Sequence, residues 1–225
     1  MKTYTVPETC VDVEFLVMGP IANNVYIISD GVGTIVVDPT RDVPAIMEAL
    51  GERKLDAIVL THHHADHMGA AAQLRETTGA TVIASRVEAP LIRDPKKVGD
   101  SILPTPKACE VDHEVDDGDI VKIGEMAWKV LLTPGHSKGS MCWYLLPQFG
   151  NHKEKLPVLI SGDTLFAGAT GRTDFEGGSD LDMTSSIKRL ALLPDETIVL
   201  PGHNEQTTIA QERRRTFARW GSEPR

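Results

Sequence analysis

The chain has 225 residues, of which 41% are hydrophobic, and a formal charge of -9 at pH 7. The apolar share is ample for a substantial core, while the acidic balance argues against a nucleic-acid or anionic-membrane surface, since either needs clustered Lys and Arg. No apolar stretch approaches the roughly 20 residues of a membrane span, and the first ten residues lack the charged-then-apolar layout of a signal peptide. A soluble, cytoplasmic protein is expected. Cys10, Cys109 and Cys142 have no paired spacing, so neither a disulfide framework nor a cysteine-rich zinc site is indicated. Cys142 lies in an apolar run and reads as a buried, inert thiol. No heptad pattern marks an oligomer interface.

In chain order, residues 11–18, 25–29 and 34–38 alternate or cluster β-branched and apolar residues, with Gly31 and Gly33 between the last two runs; they predict strands joined by tight turns. Pro39 ends the third run, residues 43–50 carry apolar side chains at helical spacing, and 54–60 predicts a further strand. Residues 69–76 have helix-forming composition and 81–84 reads as a strand, so this part has βαβ character. From 86 to 106, Pro90, Pro95, Pro104 and Pro106 leave room for a short helix and then an extended loop. The acidic segment 110–119 reads as a solvated connection. A second set of strands is predicted at 120–123, 126–133 and 140–146, then a surface loop at 148–156, a strand at 158–161, a helix at 180–192, a strand at 197–200 and a closing helix at 205–215. His113 and His152 fall in exposed-looking stretches and take no role. Both halves run from strands into helix, strand, helix, and no linker separates them, so one domain over 1–225 with two α/β halves is expected.

The stretch 61–69, Thr-His-His-His-Ala-Asp-His-Met-Gly, follows a predicted buried strand and precedes a helix. His62 and His64, two apart in an extended turn, point to one side; Asp66 and His67 reach a second point a few ångströms on. That spacing suits two metals. Imidazole and carboxylate donors suit zinc, iron or manganese. His63 should face the other way, in a structural or ligand-supporting place. Three later apolar runs end in the same manner: 130–135 leads to His136, 158–162 to Asp163 and 198–202 to His203, each just past a predicted strand on a turn sharpened by Gly or Pro. Strand ends of one sheet system converge on one rim, so residues distant in sequence meet there.

The set His62-x-His64-x-Asp66-His67, Thr133-Pro134-Gly135-His136, Ser161-Gly162-Asp163-Thr164 and Pro201-Gly202-His203 resembles the motif set of the metallo-β-lactamase-fold hydrolases, over about residues 11–203. The resemblance implies a four-layer αβ/βα sandwich, two mixed sheets with helices on the outer faces, with the site along one edge. It implies that His62, His64 and His136 hold one metal, that Asp66, His67 and His203 hold another, and that Asp163 bridges them. Residues 163–168 followed by Gly171-Arg172-Thr173-Asp174-Phe175 most resemble the glyoxalase II-like thioesterases. That subgroup implies hydrolysis of an S-acyl thioester by a metal-bridged hydroxide, with two divalent ions, zinc first and iron or manganese as alternatives. Asp66 would orient the nucleophile as well as bind metal, and Asp38 or nearby carbonyls would fix the imidazole tautomers.

Persulfide dioxygenases share much of the pattern with a single iron, here at His62, His136 and Asp163. The absence of a cysteine ligand at Asp163 argues against a zinc β-lactamase, and His64, where flavo-diiron relatives carry Glu, argues against an oxygen reductase. Glyoxalase II has a helical carboxyl-terminal domain with part of its glutathione site, whereas only 204–225 follow His203, so glutathione specificity does not carry over. Arg172 matches a basic substrate-contact position of the family and is also placed to pair with Asp174. From another class, a non-catalytic metal-binding protein would need fewer ligands than these, since structural zinc sites close with four.

Overall fold

The computed structural model describes residues 2–97, 103–146 and 156–220; His152 and all but the end of the predicted loop at 148–156 lie outside them. The first sheet opens as an antiparallel meander, β1 (Tyr4–Val6), β2 (Asp12–Met18), β3 (Asn23–Ser29) and β4 (Thr34–Val37). It continues in parallel through β5 (Ala57–Val59), β6 (Thr81–Ser85) and β7 (His113–Val115), in spatial order β1 to β7. The crossovers are α1 (Val43–Leu50), the short α2 (Ala65–Met68) with α3 (Ala71–Thr78), and α4 (Ala89–Arg93). The second sheet holds β8 (Ile120–Ile123), β9 (Met126–Leu132), β10 (Met141–Leu145) and β11 (Val158–Gly162). After α5 (Asp180–Leu190) come β12 (Ile198–Pro201), parallel to β11, and β13 (Thr207–Thr208), which leads into α6 (Ile209–Glu212).

Three apolar layers explain why the chain closes this way. Between the sheets, Tyr26, Ile28, Val37 and Val59 face Trp128, Val130, Trp143 and Ile160. The alternate residues of the first sheet, Ile27, Val36, Ile58 and Val82, pack under Ile46 and Leu50 of α1, Leu74 of α3 and Ile92 of α4. Those of the second, Leu131, Cys142, Leu159 and Val199, pack under Met183, Ile187 and Leu190 of α5, with Ile209 and Phe217. Each sheet therefore buries both faces, as strands flanked by helices on one side and a second sheet on the other must. The result is the four-layer αβ/βα sandwich. No helix among the described residues is long and apolar enough to cross a membrane.

Two expectations are corrected. The acidic segment 110–119 is not merely a solvated connection: His113–Val115 extends the first sheet as β7, with Val115 fully buried. Its charge is tolerated because Arg93 pairs with Glu110 and Glu114, and Arg86 with Glu114 and Asp116. The predicted closing helix at 205–215 starts instead as β13 against β12, turns into α6 at Thr208, whose side chain caps Gln211 N, and continues as a π-helical turn, Arg213–Phe217.

Candidate metal centre

Four strand ends deliver the predicted ligands. His62 and His64 follow β5, Asp66 and His67 start α2, His136 follows β9, Asp163 follows β11 and His203 follows β12. They assemble as three overlapping groups, His62–His64–His136, His62–His67–Asp163 and Asp66–His67–His203, with the donor atoms of each group within 4.8 Å of one another. His67 Nε2 lies 3.2 Å from Asp66 Oδ2 and 3.4 Å from Asp163 Oδ1. His203 Nε2 is 3.2 Å from the same Asp66 oxygen, and Asp163 Oδ2 is 3.5 Å from His136 Nε2 and 3.6 Å from His203 Nε2. Asp163 thus stands between the two outer groups.

The rings are aimed from behind. His67 Nδ1 meets Asp38 Oδ2 at 2.9 Å, and that carboxylate also accepts from Thr61 N at 2.8 Å and Thr61 Oγ1 at 2.7 Å. Because the Thr61 hydroxyl donates to Asp38, it can only accept from His62 Nδ1, 3.0 Å away. His136 Nδ1 donates to the Arg172 carbonyl at 2.7 Å and His203 Nδ1 to the Ile21 carbonyl at 3.1 Å. In four of the imidazoles, then, Nε2 is the atom turned inward. His62 Nε2, His67 Nε2 and Asp163 Oδ1 are buried there without a hydrogen-bond partner among the described residues. Buried polar atoms are rarely left so, and a divalent cation is the group this donor set fits. His64 differs in presenting Nδ1, 2.8 Å from His136 Nε2.

Charge is uneven across the cluster in the absence of a cation. Burial, then the surrounding imidazoles, push His62 well down and His64 down to about 3, and burial also lowers His136, so these three are neutral donors. Burial opposes a proton on His67, but Asp163, Asp66 and Asp38 together overcome it and raise its affinity. Burial likewise opposes ionisation of Asp66 and Asp163, and the His67 charge beside them holds both below the usual carboxylate range.

Close approach at the rim requires glycine. A Cβ on Gly202 would collide with Asp163 Oδ1 and stand 2.7 Å from His67 Cε1, and one on Gly171 would collide with the Asp163 carbonyl.

His63 turns away from the ligands, as its place in the alternation implied, and its ring and backbone N–H both meet the buried Glu88. Asp38, one of the expected acceptors, serves His67. Asn23 and Glu88 carried no sequence signal: each lies far from the motifs in the chain, and only the folded sheets bring them near. Arg172 is two-thirds exposed; its guanidinium pairs with Asp174 at 2.9 and 2.8 Å and lies over the Phe175 ring, which packs nearly perpendicular to the rings of His64 and His136. Its carbonyl, not its charge, reaches a candidate ligand, His136. Cys142 is buried, and burial pushes its thiol up to about 11.

The metallo-beta-lactamase superfamily matches the chain over residues 18–203, a span that contains every one of the converging side chains. The chain belongs to that superfamily. It is 32% identical over 185 residues to the hydroxyacylglutathione hydrolase GloC of Haemophilus influenzae, covering 80% of this chain and 84% of that one. Its fold is similar to the crystal structure of the BLEG-1 B3 metallo-beta-lactamase, at 36% identity and a TM-score of 0.79 over 90% of this chain and 96% of that one. It is also similar to ETHE1 from Myxococcus xanthus, at 30% identity and a TM-score of 0.71 over 90% and 82%.

Proposed function

We propose that the protein is a binuclear metal-dependent hydrolase of S-acyl thioesters. The observation that carries the binuclear part is the pair of outer ligand groups with Asp163 between them, more donors than one cation can use. The similarity to GloC supports the substrate class. His62, His64 and His136 would hold one cation and Asp66, His67 and His203 the other, with Asp163 shared. When bound, such cations polarise a carbonyl and lower the pKa of water to near neutrality; zinc heads the candidates, with iron or manganese next.

The chain's own part is positioning. Asp66, held ionised, orients the attacking water, while the hydrogen bonds at Nδ1 of His62, His67, His136 and His203 keep the donors fixed without rearrangement. A thiolate leaves without a general acid, because free thiols already ionise near pH 8.5. Phe175 and Ile21, both partly exposed, give the mouth two apolar edges beside the ligands. Arg172 offers its fork to an anionic thiol carrier by exchanging Asp174 for it.

A second reading, a mononuclear iron persulfide dioxygenase on His62, His136 and Asp163, is supported by the similarity to ETHE1. The similarity to BLEG-1 keeps lactam hydrolysis among the activities to assay, against the expectation drawn from the missing cysteine. The decisive experiment combines metal analysis with three assays: a thioester panel, oxygen uptake with a glutathione persulfide, and a chromogenic cephalosporin. Two metal equivalents with thioester turnover and no oxygen uptake is the expected result; one iron with oxygen uptake establishes the second reading instead. His136→Ala should lose one equivalent of metal and lower thioester turnover by about 10-fold or more; full activity without that side chain would refute the ligand assignment.

A further inference from the structure

Each outer ligand group has one buried polar side chain of its own that is not a ligand and comes from outside the histidine motifs. Beside Asp66, His67 and His203 it is Asn23, at the start of β3 and 1% exposed. Its Nδ2 donates to Asp66 Oδ2 at 2.9 Å and lies 3.3 Å from His203 Nε2. The reverse amide orientation would set an oxygen against the carboxylate, and Oδ1 has no hydrogen-bond partner among the described residues, so it is Asp66 that fixes the amide. Beside His62, His64 and His136 it is Glu88, at the entry to α4 and also 1% exposed. One of its oxygens accepts from His63, between the first two ligands; the other accepts from Ser137 Oγ at 3.0 Å and Gly139 N at 2.7 Å, just after the third. Ser85 Oγ adds a bond to the Gly139 carbonyl at 2.7 Å. Glu88 therefore ties a loop of the first sheet to a loop of the second, and no described hydrogen bond links it to Asp66, His67 or His203.

We propose that Asn23 and Glu88 are positioning residues that set the cation affinities of the two positions separately, Asn23 for Asp66–His67–His203 and Glu88 for His62–His64–His136. A donor on Asp66 Oδ2 fixes the rotamer of a ligand that sits in the exposed half of the site. A carboxylate shared by two loops fixes the distance between ligands that come from different sheets. The protein can then lose one cation while keeping the other, which makes the binuclear and mononuclear states separately accessible. The inference rests on the ligand grouping and not on the thioester reading, and its test uses no substrate.

Zinc affinity is measured by competition with a chromophoric chelator in two backgrounds, His136→Ala, which leaves the Asp66–His67–His203 position, and His203→Ala, which leaves the other. Asn23→Ala should weaken zinc by about 10-fold in the His136→Ala background and leave the His203→Ala background unchanged; Glu88→Gln should do the reverse. Thermal unfolding of each zinc-free variant accompanies the titrations, and Glu88→Asp replaces Glu88→Gln if the latter does not fold. Equal weakening in both backgrounds would mean a general structural role and overturn the proposal. So would unchanged affinity in the matching background, or a background that binds no zinc at all, since the positions would then not be independent.

Discussion

Asp38 holds a φ of 49°, in the left-handed region that a side chain with Cβ rarely adopts. Its two oxygens collect Thr61 N, Thr61 Oγ1 and His67 Nδ1, so the strained backbone is held in place by the bonds that aim two candidate ligands. Gly202 is constrained in the opposite sense, by space. Gly202→Ala should keep the fold but weaken metal binding by about 10-fold or more, read by chelator competition, because its methyl would displace Asp163 and His67. His64 makes a pH prediction. Burial and then its imidazole neighbours depress it to about 3 from an ordinary 6.5, so on acidification the unfolded chain takes up this proton first. The stability it contributes is complete above its ordinary value and is lost as pH falls toward about 3. In zinc-free protein, the Tm advantage of the wild type over His64→Gln should therefore shrink between pH 7 and pH 4, roughly the window set by that depression; an advantage that grows on acidification would contradict the assignment.

Among elements, the helices with a cap and a clean apolar stripe were the most legible. The predicted helix over 43–50 is α1 with the same bounds, between the Asp42 cap and Gly51. α5 begins where Ser179 accepts from Asp182 N, with Asp180 and Asp182 in the first turn and Lys188 and Arg189 in the last, charges that suit the helix dipole. Ser179→Ala should lower stability by about 1 kcal/mol in denaturant unfolding, the usual cost of losing such a cap. Short edge strands were not legible. β1 and β13 have too few residues to show a period, and β7 hides within an acidic run whose charges are offset by Arg86 and Arg93 from outside the run. Only pairing with a neighbour makes these segments strands.

For the whole molecule, the rim joins loops from both sheets, so cations bound there act as cross-links on the native state alone. Loading with zinc at about 1,000 times its Kd should stabilise the chain by about 4 kcal/mol, and chelation should lower Tm correspondingly; a Tm indifferent to chelation would mean that the rim holds no cation. By itself the sequence determined most of the strands and helices and the set of candidate ligands, because both are written locally: in the period of apolar residues, and in a histidine or aspartate placed just past a strand on a Pro- or Gly-sharpened turn; the four-layer order entered only as what the family resemblance implied, and the packing of the two sheets bears it out. What the tertiary structure alone decided is how those ligands are held. Asn23 lies 2.9 Å from Asp66, Glu88 joins His63 to Gly139, and Arg172 serves His136 through its carbonyl while its charge faces Asp174. Those contacts cross between loops of different strands, and no local pattern in a chain encodes which polar side chain will face another once two sheets have packed.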